Sequence, residues 1–131
     1  MAAPNIVNVA TITGITTFRV GISTVGASAG ITTIVTNAAS SGKVLKINSL
    51  VATAIGDTTG VTVQLFDGAA AHTAAGATVS VATTMTVPLY SSLAVIDKTN
   101  SIYLQEGHQI GCTAQSNAGS IDIVCSYEDI S

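Results

Sequence analysis

Two histidines, two cysteines and seven carboxylates are the groups in this 131-residue chain first in line for metal-ligand or acid–base chemistry. His72 sits in an Ala-rich stretch and His108 just after a turn. No Asp or Cys at ligand spacing joins them, so no metal site is assigned and both read as surface polar residues. Glycoside hydrolysis needs two carboxylates facing across a cleft, with aromatic platforms for the sugar. Glu106 tips a turn, and Asp122, Glu128 and Asp129 read as outward strand and tail residues. Gly26-Ala27-Ser28-Ala29-Gly30 spells the letters of a nucleophile elbow. That elbow requires a strand before it, a helix after it, and a downstream acid and His. The next residues, Ile31-Thr32-Thr33-Ile34-Val35, read as a strand instead of a helix, so the stretch is a flexible turn. No Gly-rich phosphate loop is present. No catalytic, cofactor-binding or metal-binding residue is assigned, no cofactor is implied, and the chain reads as non-enzymatic.

The elements that would position any site are short strands. The last third, Leu93 to Ile130, reads as four of them. With Ser116-Asn117-Ala118-Gly119 as a turn, the final two form an expected hairpin in which Cys112 faces Ile123 and Ile110 faces Cys125. Alternate pairs are apolar, the period-2 pattern of one buried and one wet face. In that register Cys112 and Cys125 are diagonal neighbours, about 7–8 Å apart, beyond disulfide reach. They read as two small buried hydrophobes.

Upstream, residues 1–14 form an extended segment, either an arm that pairs with a neighbouring subunit or an edge strand of its own domain. Residues 15–131 read as a single β-sandwich domain. Phe18, Val20 and Ile22 share one parity and argue for a strand, with a second at Ile31–Val35. In Lys43–Ile55, Leu45 and Ile47 share a face and Leu50 breaks the parity. A bulge near Ser49-Leu50 restores it. Val61, Val63 and Leu65 face inward, with Thr62 and Gln64 outward. The stretch from Asp67 to Ala77 reads as a loop, with a short helix around Ala69–Ala75 as the alternative. Val79, Val81, Met85, Val87 and Leu89 share one parity, and Pro88 bars a central position at that strand's end. About eight to ten short strands with regular turn signals and no convincing helix predict an all-β fold. The expected architecture is an antiparallel two-sheet sandwich, jelly-roll-like, with an extended N-terminal segment.

Composition narrows the function. The chain is 47% hydrophobic with mean hydropathy +0.58, but only 8% charged, against about 25% in an ordinary domain. So few charges suit a protein that lives packed in an assembly. No apolar run approaches the ~18 residues of a membrane span, and the opening MAAPNIVN lacks the pattern of a secretory signal. Four scattered cations, a net charge of −3 and 4% aromatic residues argue against a nucleic-acid partner.

Three segments carry a resemblance: MAAPNIVNVATITG, NAASSGKVLKINSLVAT and AVIDKTNSIYLQEGHQIGCTAQSNAGSIDIVCSYEDIS. Together they resemble small virion structural proteins of tailed bacteriophages, most closely those of marine cyanobacterial phages. The shared pattern falls on Lys46-Ile47-Asn48-Ser49-Leu50, on Leu104-Gln105-Glu106-Gly107-His108-Gln109-Ile110, and on Ser126-Tyr127-Glu128-Asp129-Ile130. The chain departs from it at His108, where that pattern usually has Asp. The resemblance implies no catalytic residue. It implies a virion structural protein, made in the host cytoplasm and carried on the capsid surface as a head decoration or cement protein. Its expected partners are the major capsid protein or other virion proteins, and a homo-oligomer, with a trimer favoured. The alternative is a neck, tail or fibre-associated structural protein, and further off a receptor- or glycan-binding module.

Overall fold

Runs of β-branched residues broken by Gly, Asn, Asp and Ser leave the backbone little choice but short strands and turns. The computed structural model describes residues 9–22, 31–67, 78–114 and 120–131. Its strands are β1 (Ile12–Ile22), β2 (Thr32–Thr36), β3 (Val44–Ile55), β4 (Thr59–Asp67), β5 (Thr78–Val87), β6 (Ser92–Ile96), β7 (Ile102–Leu104), β8 (His108–Ala114) and β9 (Ser120–Ile130). There is no helix among the described residues. The choice between loop and short helix at Asp67–Ala77 falls almost wholly outside them, as do the Gly26–Gly30 stretch and His72.

The strands form two packed antiparallel sheets. One runs β1-β9-β3-β6, with β7 also on β3; the other runs β2-β8-β4-β5. β6 and β7 lie end to end along β3, on Leu50–Thr53 and Leu45–Ile47 respectively. Of the remaining sequence-adjacent strands, only β4 and β5 pair with each other; every other step changes sheets. The fold is therefore the all-β two-sheet sandwich that the alternation predicts.

The expected final hairpin is not formed. β8 pairs with β2 and β4, which sets Cys112 opposite Thr32 and Val63. β9 pairs with β1 and β3, which sets Ile123 opposite Arg19 and Ala52, and Cys125 opposite Thr17 and Leu50. The buried parity is nevertheless as read: Ile110, Cys112 and Ala114 on β8, and Ile121, Ile123 and Cys125 on β9, all point into the core. Alternation states which face is buried, not whether the matching strand lies beside it or across the core. The expected Ser116–Gly119 turn lies outside the described residues.

The bulge in β3 is present. Its pairing with β9 shifts between Ile47 and Ser49, and its pairing with β6 shifts between Leu50 and Val51. That returns Leu50, Ala52 and Ala54 to the face of Leu45 and Ile47, and all five are buried. In β5 the single parity does not hold. Two register shifts against β4 intervene, so Val87 is buried while Val79 and Met85 are exposed. Thr62, expected outward, is buried, and its Oγ1 accepts a hydrogen bond from the Thr84 N–H at 3.0 Å. Pro88 falls one residue beyond β5, on the sheet's edge. Ile47, Leu50, Ile96, Leu104, Ile110, Ile121 and Ile123 are the largest apolar side chains fully buried between the sheets. Each contributes roughly 1.5–3 kcal/mol through area removed from water.

Candidate functional site

Among the described residues, the groups with chemical potential are spread out, and most of the acids have a local structural partner. Glu106 Oε1 accepts from the Gly42 N–H at 3.0 Å. Asp122 Oδ1 accepts from the Gly21 N–H at 2.9 Å and so holds the bulge that interrupts β1. Asp129 pairs with Lys43 Nζ at 2.8 Å. Glu128 stands opposite Gly14 on one side and Lys46 on the other. No two of these acids face each other across a cleft as a hydrolytic pair would. Among the described residues, no group of three or more His, Cys, Asp or Glu stands close enough to hold a metal ion. His108, the departure from the phage pattern, places Nε2 3.5 Å from Asp67 Oδ1 on the adjoining strand.

Two of the segments that carry the resemblance meet at Asn37, a residue that the sequence marks only as the start of a loop. Asn37 is 2% exposed. Its Nδ2 donates to the carbonyls of Lys43 and Leu104, at 2.9 and 3.0 Å. Its Oδ1 accepts from the Ser41 hydroxyl at 2.5 Å. Its backbone N–H donates to His108 O at 2.9 Å, and its carbonyl accepts from the Gly107 N–H at 2.8 Å. Gly107 takes φ +82°, a left-handed conformation that a side chain would strain. The node fastens the β2–β3 loop to the β7–β8 turn. Its partners lie 67 residues away in the case of Leu104, so no local periodicity announces it.

The cysteines are free and buried. They reach the core from opposite sheets, Cys112 on β8 and Cys125 on β9. Burial pushes each thiol up to about 12, and the neighbouring Cys125 adds to the rise at Cys112. Neither is a nucleophile at neutral pH, since the thiolate is the reactive form.

What remains is a surface. Ile12, Phe18 and Val20 on β1 are 60%, 64% and 74% exposed, and Val124 on β9 is 48% exposed. The registers place Phe18 beside Val124, Val124 beside Val51, and Val51 beside Ala94. An apolar row therefore crosses the outer face of the five-stranded sheet from β1 to β6. Hydroxyl pairs flank it: Thr16 with Ser126 at 3.0 Å, and Thr53 with Ser92 at 2.9 Å. Farther along the face, Lys46 Nζ stands 6.0 Å from the centre of the Tyr103 ring. The face is suited to area burial and hydrogen bonding with another protein surface. It offers no cleft chemistry.

Searches of protein-family models, of curated proteins and of solved structures found no match to this chain.

Proposed function

We propose that this protein is a non-enzymatic structural component of a tailed-phage virion, a head decoration or cement protein that binds the outer capsid lattice. The observation that carries the reading is the apolar row Phe18–Val124–Val51–Ala94 on a sandwich with only 8% charged residues. Such a face buries apolar area and supplies hydroxyls to a partner while bringing little charge to desolvate. Each copy needs only modest affinity, because many equivalent sites on a rigid shell act together. The likeness of three long segments to phage virion proteins points the same way. So does strand order: β1-β9-β3-β6 against β2-β8-β4-β5, with chain crossings between sheets, supports a jelly roll, an architecture that viral capsid domains share with lectins and cupins.

The test is binding to shells. Capsids of the encoding phage assembled without this protein should co-sediment it to a fixed, saturating ratio. Val124→Lys, which puts a charge in the apolar row without touching the core, should weaken that binding about tenfold or more. Wild-type protein that stays in the supernatant at every capsid concentration overturns the reading.

A further inference from the structure

Five described strands lie at the edges of the two sheets, and four of them, including the three-residue β7, are poor templates for another chain. β2 and β6 have five residues each, and β5 is interrupted by two register shifts with Pro88 just beyond it. Short, bulged or proline-flanked edges are the usual protection against pairing. β1 has none of these over most of its length. It has 11 residues and pairs with β9 without a break from Ile12 to Arg19. No described strand lies against its other edge.

The sequence of that edge is complementary to itself. We propose that β1 pairs antiparallel with β1 of a second copy about a two-fold axis at Thr16, joining two five-stranded sheets edge to edge. On the outer face, Thr16 then meets Thr16 of the second copy, Phe18 meets Gly14, and Val20 meets Ile12. A cross-strand Thr–Thr pair and an aliphatic pair are both favourable, and an aromatic ring laid over a strand glycine compensates for its missing side chain. The space exists: an atom at the Cβ position of Gly14 would have no neighbour within 4 Å. On the inner face, Ile15 meets Thr17 and Arg19 meets Thr13. Arg19 is the only charge in the strand, so no like charges are opposed. An axis at Ile15 would set Phe18 against Ile12 but leave Gly14 opposite Thr16 and put Val20 opposite Ala10, outside the strand. Thr16 is therefore the better centre. An isologous two-fold contact of this kind differs from the trimer that the resemblance implies. It rests on β1 alone and not on the virion reading.

The test uses purified full-length protein. Light scattering over a concentration series should give twice the 13.0 kDa chain mass. Phe18→Lys, at an exposed position, should return the single-chain mass with an unchanged circular-dichroism spectrum. Directly opposed residues lie about 4.5–5.5 Å apart at Cα, within disulfide range. Under mild oxidation Thr16→Cys should therefore give a covalent dimer, while Phe18→Cys, two residues off the axis, should not. A single-chain or threefold mass throughout overturns the proposal. So does a dimer that Thr16→Cys fails to lock, or one that Phe18→Cys locks instead.

Discussion

Asn37 shows how much one buried polar side chain can hold. Both side-chain polar atoms and both backbone groups have partners in the β2–β3 loop and the β7–β8 turn. Asn37→Ala removes the donor to the buried Leu104 carbonyl and the part-buried Lys43 carbonyl, and an orphaned buried group costs about 1–3 kcal/mol. The variant should therefore lose roughly 2–4 kcal/mol in urea titrations, with the denaturant slope unchanged. A loss under about 0.5 kcal/mol, typical of a surface change, would contradict the role. The two thiols make a second prediction. Each rises from 9.0 to about 12 on folding. The native state thus favours the protonated form, so this contribution is complete below pH 9 and lost as pH climbs toward 12. Stability should fall by up to about 1.4 kcal/mol per pH unit per thiol in that window. The decline should flatten when both cysteines are replaced by Ala; an equal decline in the double variant would show that the thiols are not its source. Burial of both cysteines was legible from strand parity. Asn37 was not, because its partners lie far along the chain and satisfy hydrogen bonds, which leave no periodic trace.

At the scale of elements, β9 is the strand on which the five-stranded sheet depends, flanked by β1 and β3. Its alternation divides neighbouring residues sharply. Ile123 is fully buried, whereas Val124 is half exposed on the outer face. Ile123→Asp should abolish the folded state, because it puts a charge among fully buried apolar side chains. Val124→Asp should change stability by about 0.5 kcal/mol or less. Circular dichroism and thermal melts of the two variants decide it, and equal damage from both would contradict the register of β9. The same element marks where the sequence was misleading. Its pattern matches that of β8 so well that a hairpin was the natural reading, yet the two strands face each other across the core. By contrast, the bulge in β3 was legible because Leu50 could be buried only if the register shifted. The outward position of Phe18 and Val20 was hidden, since a strand with an apolar outer face has the same alternation as one turned inward.

At the scale of the whole molecule, few charges and an exposed apolar row occur together on one sandwich. The row crosses one sheet from β1 to β6, and the edge of β1 that no described strand covers lies at its end. The proposed lattice face and the proposed pairing edge meet at Phe18, which belongs to both. Sequence carried the fold class through alternation. It did not locate the surface, which exists only once β1, β9, β3 and β6 lie side by side. The proposed virion role is tested most directly by quantitative mass spectrometry of purified particles of the phage proposed to carry the protein, scaled to the major capsid protein. A head decoration protein should appear at about one copy per capsid subunit, or one per three. A ratio in the low per cent range would move it to the neck, tail or fibres, and absence from the particles would contradict the virion role itself.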